Sequence, residues 1–138
     1  DIPFEIGKGI VLNPGNDVTI VATGHLVWEA LLAAETLETE GISAEVINIH
    51  TIKPLDVDLL TNSVKKTKCV VTAEEHNYLG GLGESVAGAL ARAAPAPQEF
   101  VATQDTFGES GTPAQLMEKY GLNKNAIINA VKKVIIRK

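Results

Sequence analysis

Apolar residues in this chain fall into two patterns, short β-branched runs and longer stretches with helical spacing. The short runs are typical of buried strands. Strands are predicted at Val18–Gly24, Ala44–Ile49, Cys69–Thr72 and Glu99–Thr103, with a short opening strand at Gly9–Leu12.

Between these runs the apolar residues recur every three or four positions, which predicts helices with one buried face. Glycine ends the first helix at Gly41, and Pro95 and Pro97 end the third, because proline does not continue a helix. The predicted helices begin near His25, Pro54, Leu82, Thr112 and Asn123.

Strands that alternate with helices and are apolar on both faces indicate a parallel sheet covered on both sides. The fold class predicted from the pattern is therefore a three-layer α/β domain. The opening strand could lie antiparallel at the edge of the sheet. The length of 138 residues fits one domain spanning residues 1–138.

Composition narrows the possible partners. Only 4% of the residues are aromatic against 45% apolar, so the core is expected to be aliphatic. The net charge of −5 argues against nucleic acid as a partner, because binding its phosphates needs clustered lysine and arginine.

No apolar run reaches the roughly 18 residues that span a bilayer, and no leader opens the chain. The chain starts at Asp1 rather than Met, as expected for a domain that is part of a longer polypeptide. Its single cysteine, Cys69, fits a reducing compartment.

Polar side chains follow each predicted strand. Because the carboxyl ends of parallel strands meet at one edge, where such sheets bind ligands, these side chains are expected to form a shared rim. The candidate interface or anion-binding rim consists of His25, His50, Glu75, His76, Asn77, Gly80, Gly81, Asp105, Glu109 and Ser110.

Sharper chemistry at this rim is disfavoured by spacing. Glu74, Glu75 and His76 are adjacent, whereas metal ligands rarely are, so no metal site is expected. The glycines from Gly80 to Gly83 do not form a G-x-G-x-x-G motif, and a tight turn with close helix packing is the favoured interpretation. Ser110 lacks the G-x-S-x-G surroundings of a hydrolase nucleophile. Cys69 is expected in the core, and Trp28 either in the core or at an interface.

Four strings, "DVTIVATG", "INIHTIKPLD", "VVTAEEHNYLGGLGESVA" and "DTFGESGTPAQLMEKYGL", resemble in order and spacing the C-terminal domain of transketolases, and most closely the C-terminal portion of split prokaryotic transketolases. The resemblance covers the chain from Pro3 to its end. It implies a five-stranded, mostly parallel sheet between two helical layers, with the first strand antiparallel at the edge.

In that family the first domain holds thiamine diphosphate through Mg²⁺ and a GDG motif, and the second supplies the activating glutamate. This chain resembles the third domain, which mainly packs on the second and helps to form the dimer. It contains no GDG. The resemblance therefore assigns no catalytic, cofactor-binding or metal-binding residue to this chain.

The expected function is a non-catalytic assembly domain of a cytoplasmic transketolase that moves two-carbon ketol units between sugar phosphates in the pentose phosphate pathway. The complete enzyme would use thiamine diphosphate and Mg²⁺ and form a homodimer or heterotetramer. Its partners would be the upstream thiamine-binding domains, on the same or a separate polypeptide, and the isolated chain would be inactive. The contact with these upstream domains is expected to involve Glu75, His76, Asp105 and Glu109.

Three alternatives stay open. The chain could belong to a related thiamine enzyme, deoxyxylulose-phosphate synthase or the β subunit of a 2-oxoacid dehydrogenase. It could be a regulatory module that holds a small anion at the rim, between the strands ending at Gly24 and Ala73. The third is an independent hydrolase using histidine and serine at the rim.

Overall fold

A computed structural model describes residues 7–75, 81–102 and 123–138 of the chain. The strands in these ranges are β1 (Ile10–Asn13), β2 (Val18–Ala22), β3 (Ala44–Asn48), β4 (Val70–Ala73) and β5 (Gln98–Val101). The helices are α1 (Leu26–Thr39), α2 (Val57–Thr67), α3 (Leu82–Ala93) and α4 (Lys124–Arg137). The helix predicted to start at Thr112 lies outside the described residues.

The five strands form one sheet in the order β1-β3-β2-β4-β5. β1 pairs antiparallel with β3 at one edge, and the remaining neighbours are parallel. This confirms the predicted fold class, including the antiparallel edge strand.

Helices cover both faces of the sheet. The core on one face joins the sheet to α1 and α4, and the core on the other face joins it to α2 and α3. β2 lies between these two cores, and all five of its residues are buried. Its uninterrupted Val-Thr-Ile-Val-Ala run is thus the sequence signature of a strand that packs on both faces.

Two predicted boundaries shift for local reasons. β2 ends at Ala22 because Gly24, with φ of +58°, already turns the chain toward α1. α2 begins at Val57 rather than near Pro54, because the Asp56 side chain accepts a hydrogen bond from the Leu59 N–H and caps the helix. None of the helices in the described ranges has the length and apolar character needed to cross a bilayer.

Candidate functional site at the carboxyl edge of the sheet

The chain changes direction across the sheet at the carboxyl ends of β2 and β4. These strands are neighbours, with Ala22 opposite Ala73. The chain leaves β2 for α1 and then β3 on one side, whereas it leaves β4 for α3 and then β5 on the other. Such a switch point is where open α/β sheets form ligand crevices. Of the predicted rim, His25, His50 and Glu75 lie in the described residues beside this switch point.

Glu74, immediately after β4, caps a helix. Its side chain is buried, with 3% of the residue exposed. The N–H of Leu82 donates to Oε1 at 2.9 Å, and the N–H of Gly83 donates to Oε2 at 2.7 Å. A carboxylate at a helix N-terminus satisfies orphan donors and is stabilised by the helix dipole. Both Glu74 oxygens are therefore engaged in holding α3 on the sheet.

Glu75 performs the corresponding task for the opposite layer. Its Oε1 accepts a hydrogen bond from the backbone N–H of His25, the residue before α1, at 2.7 Å. Gly24 lies beside this hydrogen bond, and a Cβ on Gly24 would stand 3.0 Å from Glu75 Oε1. The Glu75 side chain therefore bridges β4 to the β2–α1 turn across the switch point.

His25 and His50 line a common cleft of about 570 Å³ beside this bridge. Asn48 also lines it, and its Nδ2 lies 3.4 Å from His50 Nε2. The wall on the α1 side is apolar and consists of Val27, Trp28 and Leu31. A second cleft, of about 270 Å³, adjoins the first through Gly24 and His50, and Glu74 and Glu75 line it. The two clefts form one continuous surface, called here the carboxyl-edge groove.

Trp28 is the most unusual member of the carboxyl-edge groove. Trp28 is the only tryptophan of the chain, and it is 64% exposed to solvent. The prediction allowed a core or an interface position, and the structure rules out the core. One sequence signal anticipates this, because Trp28 follows Val27 and falls off the apolar face of the helix. A large exposed indole beside a groove is typical of a protein contact.

The described part of the groove contains carboxylates and histidines but neither lysine nor arginine. This charge pattern does not favour an anion. Within the described residues, no group of three or more histidine, cysteine or acidic side chains could hold a metal ion. The groove as described therefore does not fit the Mg²⁺ and diphosphate of a thiamine cofactor.

A hydrolase site also lacks support in the described residues. Ser110 lies outside them, and no serine lines the carboxyl-edge groove as described. Cys69 is fully buried just before β4, which confirms its predicted place in the core, and burial raises the pKa of its thiol.

Of the predicted rim residues, the structure brings His25, His50 and Glu75 together at the groove and places Gly81 at the start of α3. The predicted rim residues that lie outside the described ranges are His76, Asn77, Gly80, Asp105, Glu109 and Ser110. Val27 and Leu31 lie on the apolar face of α1 and are half-buried against the core, and they also form the apolar wall of the groove, a second role for which the sequence carried no signal.

Residues 7–127 match the family described as the transketolase C-terminal domain. The chain belongs to this family. Enzymes of the transketolase family use thiamine diphosphate, although nothing assigns that cofactor to this transketolase C-terminal domain.

Relatives of this transketolase domain include subunits of split enzymes. It is 47% identical over 135 residues to a 6-deoxy-6-sulfo-D-fructose transketolase subunit of Clostridium sp. (strain MSTE9), covering 98% of this chain and 42% of the relative. It is 35% identical over 127 residues to an apulose-4-phosphate transketolase subunit of Phocaeicola vulgatus, covering 92% of this chain and 40% of the relative.

A solved structure described as a split gene transketolase in an inactive β4 tetramer is 49% identical, with a TM-score of 0.93. The match covers 98% of this chain and 44% of that one. This transketolase domain thus spans about two fifths of the length of each of these three relatives.

Proposed function

We propose that this chain is the C-terminal assembly domain of a split transketolase, and that the carboxyl-edge groove docks it onto the thiamine-binding part of the enzyme. The observation that carries the proposal is the 64% exposed Trp28 beside the groove. The relatives extend well beyond the matched region, so a neighbouring part of the enzyme is available to cover this surface.

The composition of the groove supports a contact rather than a reactant site. Trp28, Val27 and Leu31 supply the apolar surface, and His25 and His50 supply polar groups at its border. Contacts of this kind combine a few large anchors with a wet, polar surround. The carboxylates that follow β4 accept hydrogen bonds from the starts of α1 and α3, which joins this border to the end of the sheet.

The complete enzyme is proposed to transfer a two-carbon ketol unit between sugar phosphates. Its catalytic residues, thiamine diphosphate and Mg²⁺ would belong to the remainder of the enzyme. The names of the two relatives refer to different sugars, so the family alone does not select a donor. Turnover of a ketose phosphate with an aldose phosphate by the complete enzyme, and none by this chain alone, is the expected result.

The docking proposal is tested with Trp28→Ala in the complete enzyme. Loss of a central tryptophan anchor typically costs about 2 kcal/mol or more, equivalent to roughly a 30-fold weaker contact. Sedimentation at several protein concentrations should show this weakening, with normal turnover once the enzyme is fully assembled. Ile136→Ala is the matched control, because Ile136 is 84% exposed near the end of α4, at the opposite edge.

Two results would contradict the proposal. One is equal assembly of the Trp28→Ala and Ile136→Ala enzymes. The other is lost turnover in a Trp28→Ala enzyme that assembles normally, which would place Trp28 in the reaction itself.

A further inference from the structure

A separate cleft, of about 450 Å³, lies away from the carboxyl-edge groove, at the amino edge of the sheet. It is bordered by the end of α2, the segment after α3 and the end of α4. Its lining residues are Val64, Lys65, Lys68, Ala94, Pro95, Pro97, Arg137 and Lys138. We call it the basic cleft, because half of these residues are cationic and none is acidic, in a chain whose net charge is −5.

Two of the cations already hold neighbouring structure. Arg137 Nη1 donates to the carbonyl of Gln98 and forms an ion pair with Glu99. Lys138 Nζ donates to the carbonyl oxygens of Asp17, at 2.7 Å, and Thr67, at 3.1 Å. A guanidinium has five N–H donors and an ammonium three, so each group has donors beyond these bonds.

Lys65 and Lys68 are different. Both are exposed, and no hydrogen bond or ion pair joins either side chain to another residue in the described ranges. They lie three residues apart, so both belong to the last part of α2 and its cap. Two like charges are thus held beside one cleft without a counter-charge from the described chain.

The backbone of Lys68 is also unusual. Its φ is +70°, in the left-handed region, and it is the only non-glycine residue of the described ranges with a positive φ. Glycine is the residue that best fits this cap position, and another residue there costs roughly 1 kcal/mol. A lysine at this place keeps an ammonium beside the cleft at the expense of local stability.

Cations near a helix C-terminus also interact favourably with the helix dipole, and the hydrogen bond from Lys138 to the Thr67 carbonyl fits that role. That role accounts for the charges on the helix ends. It does not account for the apolar lining residues Val64, Pro95 and Pro97, called here the floor of the cleft. Nor does it account for the volume of the cleft, which is that of a small-molecule site.

We propose that the basic cleft binds the phosphoryl group of a small phosphorylated metabolite. Lys65 and Lys68 would contact the phosphoryl oxygens, with further donors from Arg137, and the apolar floor would receive the organic part. Ammonium and guanidinium groups are the usual partners of phosphate, in bonds stronger than those between neutral groups. The site is separate from the carboxyl-edge groove and does not depend on the docking proposed there.

The test is hydrogen–deuterium exchange of the complete protein with inorganic phosphate, ribose 5-phosphate or AMP as probes, against chloride at equal ionic strength. Slower exchange is expected in peptides covering residues 64–69 and 93–98. Stronger protection by AMP than by ribose 5-phosphate would show that the floor receives a base, and equal protection by all three that the phosphoryl group is sufficient. Protection by none of the three would overturn the proposal.

Variants identify the residues responsible. Lys65→Ala with Lys68→Gly should weaken binding about a hundredfold, because each lost charge-assisted bond weakens it about tenfold, equivalent to about 1.4 kcal/mol. Lys8→Ala with Lys133→Ala removes the same charge from exposed positions outside the cleft and should leave binding unchanged. Equal binding by the two double variants would overturn the proposal.

Lys68→Gly alone separates binding from stability. Glycine relieves the positive φ, so thermal stability should be retained or raised while phosphate affinity falls several-fold. A purely structural lysine would show no fall in affinity, and that result would also contradict the proposal.

Discussion

The backbone N–H of Gly83 donates a 2.7 Å hydrogen bond to the carboxylate of Glu74, which lies nine residues earlier in the chain. Glu74 follows a strand and Gly83 lies in the first turn of a helix. The bond therefore holds α3 at the carboxyl end of β4. On the other face, Glu75 holds the start of α1 in the same way, so two adjacent carboxylates connect both helical layers to one strand end.

Glu74→Gln should destabilise the protein by about 1.5–3 kcal/mol, because the amide loses the charge that faces the helix N-terminus and leaves a buried N–H partner unpaired. Urea unfolding of the two proteins measures the difference. Glu38→Gln, at an exposed position of α1, is the control and should change stability by less than about 0.5 kcal/mol. Equal losses in the two variants would show that the Glu74 bonds contribute little.

Two glycines of α3 should respond to alanine in opposite directions. A Cβ at Gly83 would lie 2.3 Å from Phe100 Cδ2, whereas a Cβ at Gly88 meets only Arg92 Nη2, at 3.9 Å. Gly83→Ala should therefore cost about 1–3 kcal/mol through overpacking, and Gly88→Ala should gain about 0.5–1 kcal/mol through helix propensity. Thermal unfolding measures both changes.

Phe100→Ala in the Gly83→Ala background supplies the internal check. Removing the ring should recover part of the lost stability if the ring causes the clash. Additive losses from the two changes would mean that the strain lies elsewhere.

Two buried threonines should also behave oppositely when changed to valine. Thr19 Oγ1 lies 2.7 Å from Ser63 Oγ and 2.6 Å from Thr67 Oγ1, so it links β2 to α2. In the described part of the chain, Thr61 Oγ1 is buried without a hydrogen-bond partner. Thr19→Val should cost about 1–3 kcal/mol, whereas Thr61→Val should be neutral or stabilise by about 1 kcal/mol. Guanidinium unfolding tests this, and a loss at Thr61 matching that at Thr19 would contradict it.

Acid should weaken the fold partly through Glu45. Burial alone raises the pKa of this carboxyl, but hydrogen bonds from Lys66, Ser63 and the Gly15 N–H outweigh burial and hold the pKa below its ordinary value of 4.5. The stability that Glu45 contributes is therefore fully present above pH 4.5 and is lost as the pH falls through the lower folded-state value.

Free energies of unfolding between about pH 7 and pH 3 should accordingly fall less steeply for Glu45→Gln than for the natural chain. Glu35→Gln removes a carboxylate from an exposed position and should keep the natural slope. Parallel curves for the natural chain and the Glu45→Gln variant would disprove a role for Glu45 in acid stability.

The layers and the sheet could be predicted because the apolar pattern carries them. Val18–Ala22 is apolar at nearly every position, which only a strand buried on both faces requires. Because helices alternate with such strands along the chain, the architecture that fits the pattern is a parallel sheet with helices on both faces. The antiparallel partner of β3 was harder to predict, since β1 is short and half-exposed and carries a weak pattern.

The division of tasks between Glu74 and Glu75 had no sequence signature. Which face each carboxylate reaches depends on the pleat at the very end of β4, and adjacent residues of a strand point to opposite faces. The same limit applies to Lys68, whose left-handed backbone follows from where α2 ends rather than from residue type. His25 and His50 could be placed at the same edge because each follows a strand of a parallel sheet, but the apolar wall beside them depends on the packing of α1.

Because Trp28 is the sole tryptophan and its indole is largely in water, the molecule carries its own optical probe at the surface proposed for docking. Emission from the free chain should resemble that of indole in water, and it should move to shorter wavelength when a partner excludes solvent from the ring. Binding of this chain to a partner could thus be followed in unlabelled protein and in real time.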